Sequence, residues 1–483
     1  MRARAVLRVL AALQLIVSCF LILPIVVALL YHEYHMAFSF LLPMGLVWLT
    51  CVPILLFNRR ANGATISSKA GYLVVTSGWL LAAAVGALPF VLSGSIPSFT
   101  DAFFETMSGF TTTGASILAS PQSLPMSILF WRSLTHWLGG MGIVVLTVAV
   151  FPLLGMGGLQ LVKAEVPGPT VDKIAPTITQ TAKMLWLIYI LMTVAEIILL
   201  MFGGMDLFDA STHTFGTVAT GGFSPRNASV GAYNSPYIDA VITVFMMLAG
   251  MNFLLYYRLV IGDIRTVMRN SELRAYVAIF VLATLFIAIS LDGHTYPTFA
   301  ESLRYASFQA ASILTTTGFT TADYSTWPAL AQVVLFVLMF IGGCSGSTGG
   351  GMKVGRIIIL LKQGLTEMKY LIHARGIFSM RMSGVGLRKD IVYSVSGFVA
   401  LYMFMLFLTT VVVATGGYDI ATSVSAALAT LGNIGPGFGI VGPASNYGSM
   451  PDYIKWYLSF AMLVGRLEIY TVLVLLTRTF WRR

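Results

Sequence analysis

Apolar runs long enough to span a bilayer recur along the whole chain, at residues 6–30, 37–57, 71–92, 128–154, 184–202, 238–259, 275–291, 329–361, 391–415 and 454–477. Each reaches the roughly 17 residues that a helix needs to cross hydrocarbon. The pattern predicts ten transmembrane helices, with a glycine-rich interruption in the eighth run. Between four pairs of these runs lies a segment too short and too polar to cross, starting at an acidic residue and ending in threonine and glycine. The four align without gaps as SGFTTTG at 108–114, GTVATGG at 216–222, SILTTTG at 312–318 and ATLGNIG at 429–435.

Their last glycines, Gly114, Gly222, Gly318 and Gly435, recur about every hundred residues, which marks an internal repeat. Each unit reads as span, short helix, extended loop, span. Two spans separate successive loops, so all four loops enter from one side and the repeats are parallel. The expected fold is an all-α polytopic membrane protein. Ten transmembrane helices and four re-entrant pore helices form four parallel pore-loop repeats around one central pore, behind a two-helix N-terminal unit. The predicted divisions are a leading pair at 1–62, then repeats at 63–175, 176–270, 271–375 and 376–483.

Irregular backbone at membrane depth is tolerated where it lines a watery cavity. Glycine lets carbonyl oxygens turn toward the axis of such a cavity, where they can replace the water shell of a cation. The candidate ion-binding residues are therefore Thr112, Thr113 and Gly114; Thr220, Gly221 and Gly222; Thr316, Thr317 and Gly318; and Asn433, Ile434 and Gly435. Thr100-Asp101, Asp206, Thr298 with Glu301, and Asp419 mark the starts of the short helices, whose negative ends then face the cavity. Plain N-capping explains the same acids. Only the first and third loops carry three threonines, which predicts a short filter of moderate selectivity.

Composition agrees with a membrane protein, at 57% hydrophobic and 10% charged residues. The net charge of +10 does not point to nucleic acid, because the charges sort by side. With both termini cytoplasmic, most of the 29 Lys and Arg fall inside. Eleven of the 19 acids (Glu33, Asp101, Glu105, Asp206, Asp209, Asp239, Asp292, Glu301, Asp323, Asp419 and Asp452) fall outside, against Arg132, Arg226, Arg304 and Lys455. An acidic mouth concentrates cations, though positive-inside topology alone leaves acids outside. Cys19, Cys51 and Cys344 form neither a disulfide framework nor a metal-ligand spacing, and the run through Cys19 reads as a retained helix rather than a cleaved leader. No nucleophile motif or metal-spaced histidines are present, so no enzyme is expected.

The interruption holds Gly342, Gly343, Ser345, Gly346, Ser347, Thr348, Gly349, Gly350 and Gly351, followed by Lys353. Glycines at up to about 1 kcal/mol each make a continuous helix improbable and favour a loop; close helix packing on small residues is the competing reading. The stretch lacks the Gly-Lys-Ser/Thr ending of a nucleotide-binding loop, so no cofactor is expected. Arg466 lies in an apolar run, where a charge is a functional candidate. A purely structural arginine is the alternative. Glu468, two residues on, does not share its helix face and is expected to meet another helix. Glu196 reads as a structural polar contact.

These loops, with the run at 341–353 and GRLE at 465–468, resemble the TrkH, KtrB and HKT superfamily of potassium transporters over nearly the whole chain. The leading pair of spans is similar to the TrkH branch. The resemblance implies a bacterial inner-membrane potassium-uptake protein, driven by membrane potential or an ion gradient, with potassium as substrate; a proton- or sodium-coupled symporter is the alternative. Glycine at all four filter positions implies potassium selectivity. The matching segment to 342–351 is an intramembrane gating loop, with Lys353 beside it and Arg466 as the arginine beneath the filter. The implied partners are a second copy of the chain, a cytoplasmic TrkA-like nucleotide-binding regulatory subunit and membrane lipid. The basic segment at 362–389, including Lys369, Arg375, Arg381 and Arg388, suits either that partner or anionic lipid.

Overall fold

A computed structural model describes residues 3–58, 67–142 and 178–482. The far part of the predicted run 128–154, and the basic residues at 59–66 and 163–177, lie outside the described residues. The chain opens with α1 (Ala3–Cys19), α2 (Ile22–Leu30) and α3 (Tyr34–Phe57). A first unit follows: α4 (Ser68–Leu92), α5 (Phe99–Phe110) and α6 (Met126–Gly140). The second holds α7 (Ile178–Phe202), α8 (Leu207–Val218), α9 (Pro236–Ala249) and α10 (Phe253–Val260).

After the short α11 (Ile264–Arg269), a third unit comprises α12 (Ser271–Leu291), α13 (Phe299–Leu314), α14 (Ala329–Leu338) and α15 (Val354–Ile372). A small hairpin of β1 (Arg381–Met382) and β2 (Val385–Gly386) leads to the fourth: α16 (Lys389–Ala414), α17 (Ile420–Leu431), α18 (Asp452–Arg466) and α19 (Ile469–Leu473). The chain closes with α20 (Arg478–Trp481).

Burial separates most of the first spans from the short helices, α4 excepted at 61% buried. The first spans α7, α12 and α16 are only 28%, 33% and 33% buried, and turn side chains such as Leu191, Phe286 and Phe407 outward. Apolar side chains facing out over a whole span suit a lipid surrounding. The short helices α5, α8, α13 and α17 are buried along their inner turns instead. At 12 to 16 residues they are too short to cross.

Side chains start each of these short helices. The carboxylates of Asp206 and Asp419 accept from the backbone N–H groups of Asp209 and Thr422. In α5 the cap is Ser98, which accepts from Asp101 N–H, so Asp101 sits in the first turn rather than at the cap. Thr298 caps α13 through Glu301 N–H, as the spacing suggested.

The ten runs do not become ten unbroken helices. Among the described residues six helices are long and apolar enough to cross alone. Two further pairs are sharply bent, α9 against α10 by 94° and α18 against the segment Ile469–Leu476 by 118°. A glycine-rich break was expected only between α14 and α15. The other two breaks come from less visible causes: Gly250 ends α9 while the Asn252 side chain caps α10, and Glu468 adopts φ 60° between α18 and α19.

Candidate ion pathway

The four short helices end alike. In each, the fifth residue of the seven-residue loop motif has a left-handed backbone: Thr112 at φ 53°, Thr220 at 54°, Thr316 at 60° and Asn433 at 53°. The next residue's N–H returns to the last turn, Thr113 to Ser108 O, Gly221 to Gly216 O, Thr317 to Ser312 O and Ile434 to Ala429 O, at 2.7–2.9 Å. This is a Schellman ending, whose left-handed position usually belongs to glycine. Threonine there costs about 1–2 kcal/mol.

One residue later the backbone is left-handed again, at Gly114 (79°), Gly222 (81°), Gly318 (84°) and Gly435 (97°). The intervening Thr113, Gly221, Thr317 and Ile434 have negative φ. Alternation of hand lets successive carbonyls face one side, unlike a strand.

The four glycines line one vestibule. They also meet edge to edge. A Cβ added at Gly114 would strike Gly221 O; at Gly222, Thr317 O; at Gly318, Ile434 O; and at Gly435, Thr113 O, each at under 3.0 Å. The contacts run from the first loop to the second, third, fourth and back to the first. The ring therefore closes in chain order, and both the space and the φ demand glycine at all four places.

Around the ring the four loops are not equivalent. Thr113 and Thr317 turn their hydroxyls back to Thr111 and Thr315, at 2.8 Å each. Gly221 has no side chain, and the ring of His136 from α6 fills that space, held through Nδ1 at 2.8 Å from Gly109 O. Asn433 Nδ2 donates to Thr113 Oγ1 at 2.9 Å and to Met462 O at 3.0 Å. Tyr447 donates its hydroxyl to Gly435 O at 2.9 Å.

The second helices end or break in turn, α6 at Gly140, α9 at Ala249, α14 at Leu338 and α18 at Arg466. The loop between α14 and α15 is closed at its neck by Gly342 N–H to Met352 O (2.8 Å) and Val354 N–H to Gly343 O (3.2 Å). It docks on the break of the second unit through Cys344 N–H to Gly250 O (2.8 Å), Phe253 N–H to Gly346 O (3.0 Å) and Thr348 Oγ1 to Ala249 O (3.2 Å). Each break thus satisfies backbone groups that the other frees.

The loop also touches the residues directly beneath the ring. Gly350 N–H donates to Thr316 Oγ1 at 2.7 Å, and Thr220 Oγ1 reaches Thr348 Oγ1 at 3.3 Å. A Cβ at Gly350 would meet Gly432 O and the Asn433 side chain. Ser347 belongs to this loop without a hydrogen-bonded side chain, and Gly349 O accepts from Lys353 Nζ.

Arg466 closes the layer from the fourth unit. It donates to Thr348 O at 2.6 Å and to Gly139 O and Gly140 O, at the end of α6, at 2.7 and 2.9 Å. A guanidinium at a helix C-terminus is favourably placed. Gly351 packs against Gly342, so the loop folds tightly on itself. The Glu468 carboxylate pairs with Arg356 in α15 at 2.5 and 2.6 Å. Glu196 is buried in α7 beside Thr217.

Sequence reading missed His136, Tyr447, Glu272 and Arg356 at this site. Each is a single polar residue whose partner is far along the chain or on another helix, so no local pattern marks it.

Four bases near the starts of the short helices are each paired with a carboxylate among the described residues. Arg132 binds Glu105 (2.7 Å), Arg226 binds Asp209 (2.5 Å), Arg304 binds Asp239 (2.7 Å) and Lys455 binds Asp101 (2.6 Å). Arg132 also lies 3.6 Å from the centre of the Phe223 ring and donates to Ser224 O. Among the described residues no cluster of His, Cys, Asp and Glu suits a metal ion.

Fold and site define an all-helical polytopic membrane transporter. The chain belongs to the TrkH family of cation transport proteins, whose model matches residues 42–481. It is 42% identical to the Trk system potassium uptake protein TrkH of Salmonella typhimurium, with 100% of both chains covered. The protein of the same name from Vibrio parahaemolyticus is 40% identical, again over 100% of each. The crystal structure of the potassium transporter TrkH from Vibrio parahaemolyticus matches with a TM-score of 0.89 and 37% identity, covering 100% of both chains. The family is one of cation transporters, not of enzymes.

Proposed function

We propose that the chain takes up potassium across the bacterial inner membrane through the four-glycine ring, with the loop at 342–351 and Arg466 as its gate. The closed ring of glycine and carbonyl contacts carries this reading. Four backbone segments, each with paired left-handed positions, surround one axis at carbonyl-to-glycine contact. Thr112, Thr220, Thr316 and Asn433 form the layer below. Carbonyls fixed in this way replace an ion's hydration shell without reorganising. The relatives' potassium-uptake names agree.

In the described state the loop occupies the space beneath the ring and Arg466 braces it. Passage requires the loop to leave that space and Arg466 to release Thr348 O. The membrane potential then drives the ion inward, at about 2.3 kcal/mol per charge per 100 mV. The four repeats at 63–175, 176–270, 271–375 and 376–483 each supply one quarter of the ring, behind the leading pair at 1–62. Both termini lie in the cytoplasm. A homodimer and a TrkA-like nucleotide-binding subunit complete the system.

Growth of a potassium-auxotrophic host at low potassium tests the reading. Expression of the chain with a TrkA subunit should restore growth, and Gly318→Arg should abolish it. Absence of rescue by well-expressed protein refutes it.

A further inference from the structure

We propose that Glu272 is the latch of the glycine-rich loop, a positioning residue whose carboxylate pins both ends of the loop and must let go before it moves. This rests on the reading of 342–351 as the gate. Glu272 stands in the first turn of α12 and is 6% exposed. Its Oε1 accepts three hydrogen bonds, from Ser345 N–H (2.7 Å), Ser345 Oγ (2.9 Å) and Gly355 N–H (2.9 Å). Ser345 lies just after the neck on the way in, and Gly355 just after it on the way out. One oxygen therefore straddles the neck.

The location strengthens the hold. Gly355 is the second residue of α15, where a helix attracts negative charge. A Cβ at Gly355 would lie 2.8 Å from Oε1, so only glycine lets the carboxylate this close. The next residue, Arg356, is gripped by Glu468 and stacks 3.9 Å from the centre of the Phe398 ring. The first turn of α15 is thus fixed by two carboxylates, Glu272 from its own unit and Glu468 from the fourth. Glu468 is two residues from Arg466, so moving this turn disturbs the loop and its brace together. Among the described residues, the hydrogen bonds of the Glu272 carboxylate go to Ser345 and Gly355 and none to a proposed filter residue, which separates the latch from ion binding.

The chain carries its own reporter, because Cys344 precedes Ser345 and is 1% exposed. In liposomes, protein with Cys19→Ser and Cys51→Ser leaves Cys344 as the thiol to follow with a methanethiosulfonate reagent. Glu272→Gln removes the charge from three hydrogen bonds and should speed Cys344 modification by about tenfold or more. Gly355→Ala should act in the same direction, and Ser345→Ala, which removes one bond, less strongly. A control cysteine introduced as Ala83→Cys, buried in α4, should keep its slow rate in every variant. Unchanged Cys344 reactivity, or equal acceleration at both positions, overturns the latch. Where Glu272→Gln does not fold, Ser345→Ala decides by the same criterion. Potassium flux in the same vesicles separates the two claims: a freed Cys344 with increased flux supports latch and gate, whereas a freed Cys344 with unchanged flux keeps the latch and refutes the gate.

Discussion

Arg466 and Thr348 lie 118 residues apart in sequence, yet the arginine's Nη1 donates to the threonine carbonyl at 2.6 Å. The same guanidinium holds the two last carbonyls of α6. One side chain of the fourth unit thereby fastens the loop of the third to the helix of the first. Replacement by alanine removes three charge-assisted bonds, each contributing about 1.5–3 kcal/mol. Arg466→Ala should raise rubidium flux into liposomes at least tenfold without regulatory subunits. Arg466→Lys should restore little of the closure, because one ammonium does not reproduce the guanidinium's divergent donors.

The glycine ring predicts a selectivity defect that depends on backbone, not on hydroxyl chemistry. A side chain at Gly114 or Gly318 meets a neighbouring carbonyl and a left-handed φ at once. Both Gly114→Ser and Gly114→Ala should therefore lower the potassium-to-sodium permeability ratio, measured as the shift in reversal potential. A ratio preserved in Gly114→Ala would count against the ring as the selecting layer.

Two threonines in the same strained conformation differ in what their hydroxyls do. Thr316 Oγ1 accepts from Gly350 N–H, whereas Thr112 Oγ1 has no hydrogen-bond partner. Substitution by glycine relieves similar strain at both and changes the unfolded chain alike. The Thr316→Gly protein should be less stable than Thr112→Gly by about 1 kcal/mol, the worth of one hydrogen bond. Paired denaturation curves in the same detergent check this.

Burial separates the ion pairs by consequence. Arg132 and Glu105 have side chains 4% and 0% exposed, whereas Arg388 and Asp390 are 75% and 64% exposed. Arg132→Ala strands a buried carboxylate and should cost about 3–5 kcal/mol. Arg388→Ala should cost about 0.5 kcal/mol or less. The double variant Arg132→Ala with Glu105→Ala should be less destabilised than the two single effects added together, as thermal unfolding would report.

His136 and Gly221 form a complementary pair, since the imidazole occupies the space where a side chain at 221 would lie. Gly221→Ala should impair flux strongly in the parent chain. Combined with His136→Ala it should recover part of that loss, because the obstructing ring is gone. Flux from reconstituted protein measures both.

The helical membrane fold was legible because length and polarity report local physics. A run of apolar residues such as 391–415 has only a helix with which to satisfy its backbone in lipid. The recurring Thr-Gly endings were equally visible, since left-handed backbone must be written locally. The breaks at Gly250 and Glu468 were not, because one small or polar residue in an apolar run is compatible with an unbroken helix.

By itself, then, the sequence determined an all-helical membrane chain with four similar short loops and one loop that is no helix. Tertiary structure decided that the four glycines abut in cyclic order, that His136 serves where Gly221 has nothing, and that Glu468 holds Arg356. It also decided that the breaks near Gly250, in the glycine-rich loop and after Arg466 are bonded to one another and to the end of α6. These are contacts between residues roughly 85 to 330 positions apart. Local preference sets what each segment can be, but only packing of the four loops against one another sets which carbonyl faces which glycine.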